Sequence, residues 1–68
     1  MKISARNRIK GTVASITRGA VTSHVVLDVG GTPITAAITN EAVDELALKQ
    51  GETAYAVVKA SDVMIGKD

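Results

Sequence analysis

Residues 3–13 alternate in character. The odd positions read Ile3, Ala5, Asn7, Ile9, Gly11 and Val13; the even positions read Ser4, Arg6, Arg8, Lys10 and Thr12. Successive side chains of a strand point to opposite faces, so a period of two describes a strand with one face toward a core and a polar, largely cationic face turned outward. Nothing else in the chain restricts the fold as much, because a long half-buried first strand must find partners nearby. Gly11 inside it marks a bulge or a close backbone approach. The strand is predicted to continue to about Thr17.

The partners follow in order. Arg18-Gly19-Ala20 reads as a turn, and a second strand spans about Val21 to Val29. Val21, Val25, Leu27 and Val29 lie on one of its faces, with Thr22, His24, Val26 and Asp28 on the other. Gly30-Gly31 supplies the positive φ angles of a tight hairpin. A third strand, Thr32 to Ile38, returns antiparallel, with Pro33 near its start, where a missing N–H is tolerated. Thr39 or Asn40 can cap a short helix through about Leu48, whose apolar stripe is Ala42, Val43, Leu46 and Ala47. Gln50-Gly51 ends it. Thr53 to Lys59 forms a fourth strand, apolar on both faces, and a short fifth strand, Val63 to Ile65, follows a turn at Ala60-Ser61-Asp62. The expected fold is mainly β: a small five-stranded OB-like β-barrel with one short helix between strands 3 and 4. Residues 1–68 read as a single domain without repeat or linker.

Such a barrel is poorly filled. The 68 residues include no Phe, Trp or Cys, and only one Tyr and one His. A domain this small buries only about 60% of the surface its unfolded chain exposes. Without disulfides or a thiolate metal site, association with other copies is the remaining source of stability. The two-faced fourth strand fits that expectation, since its second face also needs a cover.

Several functions are disfavoured by what the chain lacks. His24 stands alone, and no Ser/His/Asp or paired-carboxylate spacing suggests nucleophilic or acid–base catalysis. Glu41, Asp44 and Glu45 read as helix-dipole and solubility residues. OB barrels bind single-stranded nucleic acid by stacking bases on aromatic rings, and Tyr55 is the only ring available. The net charge is +1, although Lys2, Arg6, Arg8, Lys10 and Arg18 precede the first acid, Asp28. No apolar run has signal-peptide length or the roughly 20 residues of a membrane span. The chain is therefore expected to be cytoplasmic, a non-enzyme, and a partner of neither nucleic acid nor membrane.

A small oxyanion suits the residues better. It needs cations, hydroxyls and oriented N–H groups. Ser4 and Arg6 share a strand face, roughly 7 Å apart. Thr39 to Ala42 forms a helix start with free N–H groups. Lys59-Ala60-Ser61 places a cation and a hydroxyl at a strand end. Each also has a plain structural reading: an exposed strand face, a helix cap, a strand end.

Taken together, Ser4-Ala5-Arg6-Asn7 followed by Lys10-Gly11 resembles the opening motif of the molbindins, molybdate-binding relatives of the TOBE domain. Gly19-Ala20-Val21-Thr22, Ala37-Ile38-Thr39 and the run Val57 to Ile65 resemble the same family in the same order. The resemblance implies a homohexamer, a trimer of dimers with exchanged N-terminal strands, that binds molybdate or tungstate between subunits. It implies an oxyanion site built from Ser4, Ala5, Arg6, Thr39, Ala42, Lys59, Ala60 and Ser61. A second oxyanion site is placed on Gly19, Val21, Thr22 and His24. Relatives often carry serine where this chain has Ala42, which removes a hydroxyl but leaves the backbone N–H. The function implied is an intracellular molybdate store or homeostasis protein; the alternative is an oxyanion-sensing regulatory module acting through a protein partner.

Overall fold

A computed structural model describes residues 1–68. Its elements are β1 (Asn7–Arg18), β2 (Thr22–Val29), β3 (Thr32–Thr39), α1 (Asn40–Glu45), β4 (Thr53–Val58) and a 3₁₀ turn at Ala60–Asp62. The strands form one antiparallel sheet in the order β3-β2-β1-β4.

β1 organises this sheet by serving two partners along its length. Its first half, Asn7 to Thr12, pairs with Val58 to Thr53 of β4. Its second half, Thr12 to Arg18, pairs with Asp28 to Ser23 of β2. The handover needs a bend, and two features provide it. The register with β2 shifts between Val13 and Ser15, a β-bulge that moves the inward position from Val13 to Ile16. Gly11 is the close approach: a Cβ there would lie 2.9 Å from the Asp28 carbonyl oxygen and 3.0 Å from Val29 Cγ2. The loop before β4 closes the bend, with Val13 N–H donating to the Glu52 carbonyl and Gly51 N–H to the Val13 carbonyl, both at 2.8 Å.

The β2–β3 hairpin turns on Gly30 and Gly31, at φ 57° and 91°, with Val29 opposite Thr32. Pro33 is tolerated because β3 is an edge strand. Thr39 caps α1, its hydroxyl oxygen accepting from Ala42 N–H at 3.1 Å. The helix stops at Glu45, short of the expected Leu48. Ala47 turns to φ 50°, and Leu48 N–H reaches back to the Val43 carbonyl at 3.1 Å. That reversal brings Leu48 onto the core and leaves Leu46 exposed, so the expected apolar stripe reduces to Val43. Val21 is also displaced from its expected inward face, because it lies in the turn ahead of β2 and is 71% exposed.

The core consists of Val13, Val25, Leu27 and Val43, with Ile16, Ile38, Leu48, Ala54 and Ala56 packed against it. Two corrections to the expected barrel follow from how little this core encloses. There are four strands rather than five, and the sheet does not close. Edges β3 and β4 flank an apolar groove of about 760 Å³, lined among others by Ile34, Ile38, Leu46, Tyr55 and Val57. The expected fifth strand is absent: the turn at Ala60–Asp62 carries the backbone away, and Val63, Met64 and Ile65 pair with nothing. Met64 and Ile65 are each 91% exposed. Residues 3–6, expected to start β1, are likewise outside the ladder, which ends at Asn7 opposite Val58. Both terminal segments have a strand's composition, but neither is laid against an edge of the open sheet.

Gly11→Ala tests the bend. The clash is with backbone, which cannot swing aside, so the substitution should cost on the order of 1–3 kcal/mol. That outweighs the roughly 0.4–1 kcal/mol gained from a stiffer unfolded chain. An unchanged urea midpoint would show that β1 does not depend on the close approach.

Candidate functional site

The expected oxyanion ligands separate into two groups. β1 and β3 run in one direction and β2 and β4 in the other. The end of β3, with Thr39 and Ala42, therefore lies at the Arg18 end of β1. The end of β4, with Lys59, Ala60 and Ser61, lies at the Asn7 end, next to Ala5, Arg6 and Ser4. At about 3.3 Å per residue, the eleven steps of β1 amount to at most about 36 Å. The ladder thus sets the two halves of the eight-residue set at opposite ends of one chain's sheet.

The Asn7 end is basic and open. Ser4, Arg6, Lys59, Ala60 and Ser61 are exposed, and Ala5 is half-buried. Asn7 Nδ2 donates to the Val58 carbonyl at 3.1 Å and anchors the last rung before the two segments diverge. Arg8 Nη1 donates to the Met1 carbonyl at 3.0 Å, so the first residues fold back along β1.

The opposite end is more tightly built. Thr39, opposite Thr22, spends its acceptor on Ala42 N–H and keeps its hydroxyl proton free to donate. Beside it is a small polar cleft of about 220 Å³, lined by Thr17, Arg18, Gly19, Thr22 and His24. Three of the four residues expected for the second site, Gly19, Thr22 and His24, are brought together there. Val21 is not among the lining. Thr17 and Arg18 were missed from the sequence, although Thr17 pairs directly with His24 and an outward face common to both strands could have suggested it.

Two residues of α1, Asp44 and Asn40, hold this end. Arg18 Nη1 and Nη2 donate to Asp44 Oδ1 and Oδ2 at 2.9 and 3.3 Å, a two-pronged ion pair. The hydrogen bond from Arg18 holds the Asp44 carboxyl below its usual value, and the same bond raises the Arg18 guanidinium. Asn40, first residue of α1, grips the turn: its N–H donates to the Val21 carbonyl at 2.9 Å and its Nδ2 to the Gly19 carbonyl at 3.0 Å. Its Oδ1 accepts from the hydroxyl of Ser23, a fully buried residue on the otherwise apolar inner face of β2. Ser23 has no sequence signal that would single it out, and Asn40 reads only as a candidate helix cap. No group of three His, Cys, Asp or Glu side chains gathers anywhere to hold a cation, and no helix is long and apolar enough to cross a membrane.

The family model of the TOBE domain matches residues 3–65. Molybdenum-pterin-binding protein 2 of Clostridium pasteurianum is 50% identical over 66 residues, covering 96% of this chain and 97% of that protein. Among solved structures, a molybdate-binding protein from Sporomusa ovata superposes with a TM-score of 0.93 at 42% identity, covering 98% of this chain and 100% of the other. The cytoplasmic molybdate-binding protein ModG, solved with molybdate bound, gives a TM-score of 0.88 at 52% identity; 94% of this chain matches 46% of that one.

The Arg18–Asp44 pair makes a pH prediction whose sign is fixed by Asp44. A carboxyl lowered on folding adds stability above its unfolded value, near 3.8, and loses it as pH falls through the folded value below that. Both partners are exposed, so the effect is small. Arg18→Met should melt slightly below the parent protein at neutral pH and together with it in strong acid. A gap that survives in strong acid would mean the pair acts through packing instead.

Proposed function

This chain belongs to the TOBE domain family, and on that premise we propose that it binds molybdate at sites completed between copies of itself. Molybdate binding rests on the end-to-end similarity to proteins named for it. The observation that carries the interfacial reading is the split of the ligand set to opposite ends of one sheet.

In this reading one copy contributes Ser4, Ala5 and Arg6 together with Lys59, Ala60 or Ser61, and the next contributes Thr39 at its helix start. Charge then comes from Arg6 and Lys59, and oriented donors come from hydroxyls and main chain. Association removes water from the anion, which strengthens each of these interactions. Ala42 contributes no hydroxyl; its N–H already serves Thr39, so Thr39 is the donor at the helix start. The cleft of Thr17, Arg18, Gly19, Thr22 and His24 is the second site. Donors held on a sheet favour an anion of one size, which separates molybdate from sulfate better than from tungstate.

Homo-oligomerisation is supported by the four-residue buried core, the apolar groove between the sheet edges, and the exposed Ile3, Tyr55, Val57, Val63, Met64 and Ile65. A trimer of dimers with exchanged N-terminal arms would cover these surfaces and engage residues 3–6, which are unpaired in the single chain. The protein is read as a cytoplasmic molybdate store that performs no catalysis. The sensing module is the less favoured reading, since relatives matched over their whole length are named for binding.

Calorimetric titration with molybdate, and separately with sulfate, tests the function. Tight molybdate binding with little sulfate response is expected. Lys59→Ala or Arg6→Ala should weaken it by about ten- to a hundredfold, the range of a lost charged hydrogen bond. Light scattering should show the assembly intact. Unchanged affinity in both variants would move the site elsewhere. In sedimentation the parent protein should never run as a monomer at working concentration; a monomeric profile would remove the basis for an interfacial site.

A further inference from the structure

The cleft at the β1–β2 turn is bounded on one side by backbone rather than by a side chain. Gly19 forms that wall, and beyond the end of the β1–β2 ladder the turn is closed within itself by one hydrogen bond, Gly19 N–H to the Thr22 carbonyl at 2.7 Å. A hairpin tip held so lightly would breathe, and a breathing cleft selects poorly by size. The tip is instead fastened from outside. Asn40 binds the carbonyls of both Gly19 and Val21, and Asp44 of the same helix binds Arg18. Asn40 does not line the cleft.

The sense of the Asn40 amide is what makes this fastening work. Only its NH₂ can serve the Gly19 carbonyl; turned over, its oxygen would face that carbonyl and repel it. The Ser23 hydroxyl, wholly buried at 0% exposure, donates to Oδ1 and fixes the orientation. A hydroxyl on the inner face of β2, among Val25 and Leu27, is otherwise unexplained by packing. We infer that Asn40, oriented by Ser23, is a positioning residue that sets the width of the hairpin cleft and thereby its discrimination among tetrahedral oxyanions. This rests on the molybdate-binding reading and extends it to residues that do not touch the anion.

The experiment uses His24, the only histidine, whose ring resonances report on the cleft without assignment ambiguity. Molybdate and sulfate are titrated into the full-length protein and into the S23A/N40A double variant while the His24 signals are followed by NMR. Removing both partners leaves no buried hydroxyl unpaired, so thermal stability should stay close to the parent's. The molybdate midpoint should rise about tenfold, as for loss of a residue that orients a ligand from behind. The sulfate midpoint should change little, so the preference collapses; a purely structural role would leave that ratio unmoved. An unchanged ratio overturns the inference. If the double variant does not fold, Ser23→Ala alone should lower the ratio partway, and an unaltered ratio there is equally fatal. Molybdate heat in the parent protein without any His24 response would refute this inference while leaving the function standing. No molybdate heat at all would refute both.

Discussion

The hydrogen-bond ladder of β1 is the constraint on which the rest depends. A single strand bonds β4 along its first half and β2 along its second, so every other element is placed relative to it. The bend between the halves is made by backbone, through Gly11 and the bulge after Val13, and not by side-chain packing. That is a sound solution for a chain with no Phe or Trp, because a backbone ladder does not need large side chains to hold its shape.

The same ladder fixes the distribution of function. Because neighbouring strands are antiparallel, the ends of β3 and β4 must fall at opposite ends of β1. The helix start and the hairpin turn consequently share one end, while Arg6 and Lys59 share the other. A site joining Arg6 or Lys59 to the helix start would have to draw on two copies. The four-residue core and the open groove leave apolar surface uncovered in the single chain, and Met64 and Ile65 stand in solvent.

Where a ligand is to be distinguished by size, rigidity matters more than the number of donors. At the turn end, rigidity is supplied from behind the cleft by α1, through Asn40 and Asp44. The helix is only six residues long, and its principal contribution is as a bracket between β3 and the β1–β2 turn.

Local patterns in the sequence located four of the five expected strands and the turns between them. Alternation located β1, paired glycines located the β2–β3 hairpin, and Thr39-Asn40 marked the helix start; these are local effects carried by neighbouring residues. The residues that resemble the molbindins also supplied the ligand and the set of residues expected to hold it. Tertiary structure decided what depends on partners distant in sequence. Val63 to Ile65 has a strand's composition, but a strand also needs a partner, and this segment is not laid against either edge of the sheet. Without it the sheet stays open, and Ser4 and Arg6 likewise lie off the ladder. Gly11 announced either a bulge or a close approach, and only the position of Asp28 across the sheet decided for the latter. The bond between Ser23 and Asn40 was invisible for the same reason: they are 17 residues apart, and it exists only because the end of β3 returns beside the start of β2. Local patterns fix what a segment tends to be, whereas hydrogen bonds between distant segments depend on where the whole sheet places its edges.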